Sequence, residues 1–285
     1  MDPSIDKALR NLLNDSLNEL EQALNSDVLS YYGPIVDGQE NAVLNIVEDL
    51  AKDPNKKEQL AVILTTTGGS AAAVERYVNI IRHHYSKVIF IVPDYAYSAG
   101  TIFCMSGDDI WMDYFSVLGP IDPQVKNKEG NFVPALGYLD KINELIKKAK
   151  NNQLTNAEFV ILKDFDLAEL KGYEQAKELT ISLLTKWLVK YKFKNWNIHN
   201  STGNAVSTKE KEKRAEEIAA NLGDNNKWKS HGRPINIEEL QALKLKITDY
   251  SEKGERDQIR NYYKLIRDFI SRYNFQIFIH TRKYL

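Results

Sequence analysis

The stretch QLAVILTTTGGSAAAVERYVNIIRHHYSKVIFIVPDYAYSAG, residues 59–100, holds two unbroken apolar runs, LAVIL (60–64) and VIFIV (88–92), each followed by a turn of small residues. Between them, AAVERYVNIIRHHY reads as a helix. A strand that is apolar on every residue has to be covered on both faces, and two such strands separated by a helix run parallel. The segment therefore predicts an α/β fold built on a parallel sheet.

Reading outward, DVLSYYGPIVDG (27–38) is a strand ended by Gly and Pro. NAVLNIVEDLAK (41–52) places Val43, Ile46, Val47 and Leu50 on one helical face. Before them, Ile5, Leu9, Leu12, Leu13, Leu17, Leu20 and Leu24 mark an amphipathic helix over residues 5–25, expected to pack on a neighbouring surface. Downstream, SAGTIFCMSG reads as a short helix, DDIWMDYFSV as a strand and LGPIDPQV as a Pro-rich turn. Residues 135–190 read as helical, followed by a charged helix ending in Asn-Leu-Gly, a capped helix in HGRPINIEELQALKLKI, and a last helix and strand.

In a parallel sheet the turns TTTGGS (65–70) and DYAYSAG (94–100) fall on the same edge, where open α/β sheets hold ligands. Gly-Gly lets a backbone approach a ligand with its N–H groups, and Gly69 is the favoured donor. Ser98 precedes a helix, so the amide of Ala99 stands at a helix N-terminus beside the serine oxygen. Together these residues supply a nucleophile and two amides. Ser98 is equally a residue type that caps helices, and Gly-Gly equally forms tight turns. AYSAG also departs from the G-x-S-x-G nucleophile elbow, because Ala96 occupies the first glycine position.

The succession YYGPI, ILTTTGGSAAAVERY, VPDYAYSAGTIFCMSGDDIWMDYFSVLGPIDPQ and KSHGRPINIEELQALKL resembles the serine dehydrogenase proteinase family, relatives of signal peptide peptidase A in the ClpP/crotonase superfamily. The resemblance covers roughly residues 28–250 and is most specific in SAGT followed by SVLGPIDPQ. It implies a ClpP/crotonase-like spiral of ββα units. It also implies a serine peptidase site with Ser98 as nucleophile and Gly69 and Ala99 as oxyanion donors. The expected organisation is an N-terminal helix (1–27), a peptidase domain (28–250) and a helix-and-strand extension (251–285).

A serine hydroxyl needs a base, and the superfamily uses histidine or lysine. His231, in SHGRPI, matches a family position where histidine is usual and is the favoured base. His83 and His84 end the helix that starts at the Gly-Gly turn, which predicts them far from that edge. His199 and His280 fall where the family pattern marks nothing. Lys177, in GYEQAKELTISLL, is the rival: it shares a helix with Leu170, Tyr173 and Leu184, and burial there would lower its pKa. Asp122 in GPIDPQ either orients the base, holds the substrate strand or caps its turn. On this reading Gly68, Ser70, Gly119 and Pro120 border the substrate. Thr67 stands where proline is frequent in the superfamily, and QALKLKI lacks the glycine of the usual LGL ending.

Lys+Arg 38 against Asp+Glu 39 gives a formal net charge of -1, so nothing global argues for nucleic acid or an anionic membrane as partner. The start MDPSIDKALRNLLNDSLNEL is interrupted by charge every few residues, which predicts neither a leader nor a membrane span and makes a cytoplasmic location the expectation. The single cysteine, Cys104 in TIFCM, reads as a small buried hydrophobe, and no metal is implied. No GxGxxG follows a strand, so no nicotinamide cofactor is expected either. The substrate expected is an extended polypeptide added as a strand at residues 68–70. The superfamily implies a homo-oligomer, for which the N-terminal helix offers an apolar stripe. Two alternatives use the same fold: a crotonase-like enzyme stabilising a thioester enolate, and a catalytically silent assembly or binding module for a protein partner.

Overall fold

The computed structural model describes residues 3–126, 130, 132–199 and 202–285. In chain order the elements are α1 (Pro3–Leu24), β1 (Asp27–Tyr32), α2 (Glu40–Ala51), β2 (Gln59–Thr65), α3 (Ala71–His84), β3 (Lys87–Val92), β4 (Tyr95–Ala96), α4 (Ala99–Cys104), β5 (Asp109–Met112) and β6 (Val117–Leu118). Then come β7 (Gln124–Lys126), β8 (Phe132–Pro134), α5 (Ala135–Lys150), α6 (Asn156–Lys163), α7 (Leu167–Trp187) and a π-helical turn at Leu188–Lys192. The chain finishes with α8 (Thr208–Leu222), α9 (Asn225–Trp228), α10 (Ile237–Ala242), β9 (Thr248–Asp249), α11 (Arg256–Tyr273) and β10 (Phe278–His280).

The main sheet has the order β10-β1-β2-β3-β5-β9, parallel throughout except for β10, which runs antiparallel to β1. The reason the LAVIL run of β2 and the VIFIV run of β3 are apolar on every residue is visible in their alternation. Leu60, Val62 and Leu64, with Val88, Phe90 and Val92, enter a core shared with α2, α3, α4, α7 and α8. Ala61, Ile63, Ile89 and Ile91 point to the other face, into a core built by α1 and α11. The structure is a three-layer α/β/α sandwich.

After β1, β2, β3 and β5 the chain turns and adds a second, shorter strand outside the main sheet. These short segments align in their own row: Ile35 pairs with Gly69, Thr66 with Ala96, β4 with β6, and Leu118 with Ile235. Each turn of the chain thus gives one long strand, one short strand and a helix, which is the spiral of ββα units expected.

Two expectations are refined. DDIWMDYFSV is two strands rather than one, because the amide of Asp113 donates to Ser116 Oγ at 2.8 Å and closes a turn between β5 and β6. Residues 135–190 form three helices. Thr155 caps α6 reciprocally with Glu158, and Asp166 caps α7.

The terminal segments cover the second face. Leu13, Leu17 and Leu20 of α1 are buried against α11 and the sheet, so most of the stripe offered for contacts between copies is used within the chain; Ile5 and Leu12 remain exposed. A buried ion cluster fastens the C-terminal end. The guanidinium of Arg282 donates to Glu21 Oε1 and Asp27 Oδ1, each at 2.8 Å, and Tyr85 Oη donates to Asp27 Oδ2 at 2.7 Å. Asp27 is wholly buried. Removing the cation strands two carboxylates, so Arg282→Ala is expected to lose about 3–5 kcal/mol in urea unfolding. A loss under about 1 kcal/mol, the range of an exposed ion pair, would show that water replaces the guanidinium there.

Candidate active site

The C-terminal ends of β2 and β3 lie side by side, and the two turns that follow them meet. Thr66 joins them: its amide donates to Tyr95 O (3.1 Å), and Tyr97 N–H donates to its carbonyl (3.0 Å). Its hydroxyl accepts the Gly68 amide at 3.0 Å, which occupies that N–H. Ile35 N–H donates to Gly68 O, and Ser70 N–H donates to Ile35 O, both at 2.8 Å. In such a parallel bridge the amide of the intervening residue, Gly69, is directed away from Ile35.

Both glycines are required by space as well as by conformation. Gly68 has φ +101°, and a Cβ there would stand 2.8 Å from Ser98 Cβ and 3.3 Å from Ala99 N. Gly69 has φ +141°, and its Cβ would fall 1.9 Å from Ile35 O. The turn is therefore held between the 34–36 segment and the Ser98–Ala99 corner.

Ser98 occupies the N-cap position of α4, but its side chain makes no capping hydrogen bond. Its backbone is at φ 52°, ψ -115°, a region that costs a non-glycine residue about 1–3 kcal/mol. The hydroxyl is thus not taken up by the amides of its own helix. Ala99, as the first residue of α4, has an amide without an intrahelical acceptor, whereas Gly100 N–H already donates to Tyr97 O at 2.8 Å.

These residues open on a cavity of about 730 Å³, whose lining includes Gly68, Gly69, Ser70, Ser98, Ala99 and His231. The rest of the wall is mostly apolar: Pro34, Ile35, Val36, Ile102, Ile121 and Pro123, with Ala176, Leu179 and Thr180 of α7. Burial lowers the pKa of His231 below the ordinary imidazole value. The loop that carries His231 is tied to the wall, since Leu118 and Ile235 exchange both backbone bonds at 3.0 and 2.9 Å.

Lys177, Asp122, Gly119 and Pro120 lie around the cavity rather than on it. Lys177 is exposed on α7 and lines a neighbouring cavity with Asp140, Asp224 and Leu136; the two cavities share Ile121, Pro123 and Thr180. Asp122 is buried behind that shared wall. Its Oδ1 accepts the Leu136 amide at 3.1 Å at the start of α5, and its other oxygen has no hydrogen-bond partner among the described residues. Burial pushes Asp122 up to about 6, against the pull of the Leu136 bond and with a further push from Asp140. Gly119 has both polar atoms within hydrogen-bond distance of Thr101 Oγ1 and packs on Tyr97, and it and Pro120 are buried rather than open to the cavity. Ser70 caps α3, accepting from Ala73 N (3.1 Å) and donating to Asp37 Oδ1 (2.6 Å).

The remaining histidines stand elsewhere. His83 and His84 end α3 at the opposite edge of the sheet, His199 faces Glu210 at 3.1 Å, and His280 is buried between Tyr262 and Asn14. Cys104 is fully buried, which pushes its thiol pKa far up, as a small hydrophobe requires. Three contributors went unassigned in the sequence: the 34–37 segment, the inner face of α7, and Thr66. YYGPIVD is a visible motif, but nothing local says that Ile35 backs Gly69. No group of histidines, cysteines and carboxylates suited to a metal occurs among the described residues, and no helix there is long and apolar enough to cross a membrane.

The chain is similar to several known proteins. Two uncharacterized proteins of Methanocaldococcus jannaschii, MJ1495 and MJ0137, are 29% identical over 116 residues and 33% identical over 117 residues; each match spans 38% of this chain and 39% of the relative. The chain thus matches well under half the length of these relatives. Among solved structures, a serine-to-alanine mutant of the 1510-N membrane-bound stomatin-specific protease aligns with TM-score 0.47 and 14% identity, over 81% of this chain and 82% of that one. A lysine-to-alanine mutant of that protease in complex with a substrate peptide aligns with TM-score 0.47 and 16% identity, over 80% and 76%. Residues 41–204, more than half of the chain and including both turns, match a single family profile. The chain belongs to the family of ClpP-like SDH-type serine proteinases.

Proposed function

We propose that this chain is a serine peptidase that cleaves polypeptide through an acyl-enzyme on Ser98. The observation that carries the reading is the Ser98 corner itself. A strained, uncapped serine faces a cavity shared with the Gly69 and Ala99 amides and with a histidine whose burial favours its neutral form.

In the first step Ser98 Oγ attacks the scissile carbonyl carbon while the His231 imidazole takes the hydroxyl proton. The carbonyl oxygen becomes an oxyanion and accepts from the Gly69 and Ala99 amides. The Gly68 amide is already engaged by Thr66. Collapse of the intermediate breaks the C–N bond, and the imidazolium gives its proton to the departing amine. Water, deprotonated by the same imidazole, then releases the acyl group and restores Ser98. Each oxyanion donor is worth roughly a hundredfold to a thousandfold in turnover, and the base roughly a hundredfold to ten-thousandfold. The substrate backbone lies along the edge at Gly68–Ser70, with an apolar side chain against Ile35, Ile102 and Leu179. Residues 28–250 form the peptidase unit, and the segments on either side cover its second face.

His231 is preferred over Lys177 because it lines the same cavity as Ser98, while Lys177 is exposed on the adjoining one. An exposed ammonium lacks the desolvation that would make it a base near neutral pH. His231 lies outside the matched residues 41–204; its assignment rests on the shared cavity, on its burial and on the SHGRPI resemblance.

The test is labelling with a fluorophosphonate, followed by intact-mass spectrometry. Wild type and Lys177→Ala are expected to gain one adduct, Ser98→Ala none, and His231→Gln to react about 10² to 10⁴ times more slowly. A Ser98→Ala protein that still labels would refute the nucleophile. A folded wild type that never labels would favour a silent binding module.

The pH dependence of the labelling rate distinguishes the bases. The neutral imidazole is the active form, and burial makes it give up its proton at lower pH than an ordinary histidine. The rate is therefore expected to be on a plateau at neutral pH and to fall as pH drops through a midpoint below about 6.5. A midpoint well above 7 would assign the base to Lys177 instead.

A further inference from the structure

Thr101 lies three residues past Ser98, in the first turn of α4, and is completely buried. Its Oγ1 is 2.9 Å from Ala96 O and 2.8 Å from Gly119 O, and it accepts the Gly119 amide at 3.0 Å. A hydroxyl has one proton, so it donates to one of the two carbonyls at a time while accepting from the amide. The three partners belong to two chain segments, and both segments lead to the site.

β4 and β6 run side by side through the pairs Tyr95–Val117 and Ala96–Leu118, then separate. One chain continues through Tyr97 to Ser98. The other becomes Gly119–Pro120–Ile121, and Ile121 walls the cavity. Thr101 fills the fork between them. Leu118, next to Gly119, is bonded in both directions to Ile235, four residues after His231. The Thr101 hydroxyl, the Leu118–Gly119 peptide and the Leu118–Ile235 bonds therefore link the strand leading to the serine corner with the loop that carries the histidine.

We propose that Thr101 is a positioning residue, whose hydroxyl holds the Ser98 corner at working distance from the His231 loop and so sets the rate of Ser98 acylation. This rests on the peptidase reading above. The methyl and the volume of Thr101 could be supplied equally by valine; only the hydroxyl ties both branches of the fork. A misplacement of about 1 Å between reacting groups typically lowers rate on the order of a hundredfold.

The experiment measures fluorophosphonate labelling rates against pH for wild type, Thr101→Val and Thr101→Ser, with thermal unfolding of each. Thr101→Val is expected to label about ten to a hundred times more slowly. It should still reach one adduct on Ser98, and it should show a flattened acid limb, because the histidine assists less. Thr101→Ser, which keeps the hydroxyl, is expected to return to within a few-fold of wild type with the limb restored. Should Thr101→Val fail to unfold cooperatively, Thr101→Ala carries the same expectation. Wild-type labelling in Thr101→Val, equal slowing in the valine and serine variants, or slowing with an unchanged acid limb would each overturn the proposal. A wild type that does not label removes the peptidase reading itself, and this inference with it; that result is distinguishable because it appears without any substitution.

Discussion

The site depends on a single close approach, that of the Gly68–Gly69 backbone to Ile35 on one side and to the Ser98–Ala99 corner on the other. No side chain fits in either gap, and both residues have φ in the region that glycine alone tolerates easily. The approach fixes three things together. It seats Ile35 as the strand backing the turn, it directs the Gly69 amide to the opposite side, and it presses the turn against the serine corner. Thr66 completes the arrangement by taking up the Gly68 amide and by bonding the backbone around Tyr95–Tyr97. Its methyl also excludes any Cβ at Gly100, which would stand 2.3 Å away.

The opposite face of the sheet carries a second core. Because β2 and β3 are apolar on both sides, a sheet covered on one face would leave Ala61, Ile63, Ile89 and Ile91 in water. The first and last segments of the chain supply the second cover. They meet through Leu17, Leu20, Ile259, Tyr262 and Ile266. A polar chain of Ser30, Tyr262, His280 and Asn14 crosses this layer with contacts of 2.8–2.9 Å. Burial holds His280 near 4, so it stays neutral and works as a hydrogen-bonding strut rather than a proton carrier. The two layers are joined where α11 meets the start of the serine turn: Arg260 donates to Pro93 O at 2.9 Å and Tyr263 Oη to Asp94 Oδ2 at 3.1 Å.

How much of this was legible differs by element. The parallel sheet was readable from LAVIL and VIFIV, since a strand apolar over five consecutive residues has to be covered on both faces. The placement of Ser98, Gly69 and Ala99 at one sheet edge was readable because small residues after a strand mark the edge where chains turn. The breaks within 135–190 were readable too, in the T-x-x-E of Thr155–Glu158, although the run of helix-forming residues obscured them. The destination of α1 was not. An amphipathic stripe states that something apolar must cover it, but not whether that cover is another copy or the chain's own α11.

What the sequence determined by itself was local and periodic: strand and helix order, the two glycine-bearing turns, and a serine at a helix start. Whether that serine capped its helix or lined a cavity was decided by tertiary structure, which brings the Gly68 turn against the Ser98–Ala99 corner. The same holds for the other groups. His231 reaches the Ser98 cavity because Ile235 pairs with Leu118, a contact across 117 positions of the chain, while Lys177 and Asp122 fall behind or beside the wall. Residue type and spacing specify which turn can form. Only the packing of distant segments specifies which side chains share the cavity, because a hydrogen bond between residues so far apart leaves no periodic trace along the chain.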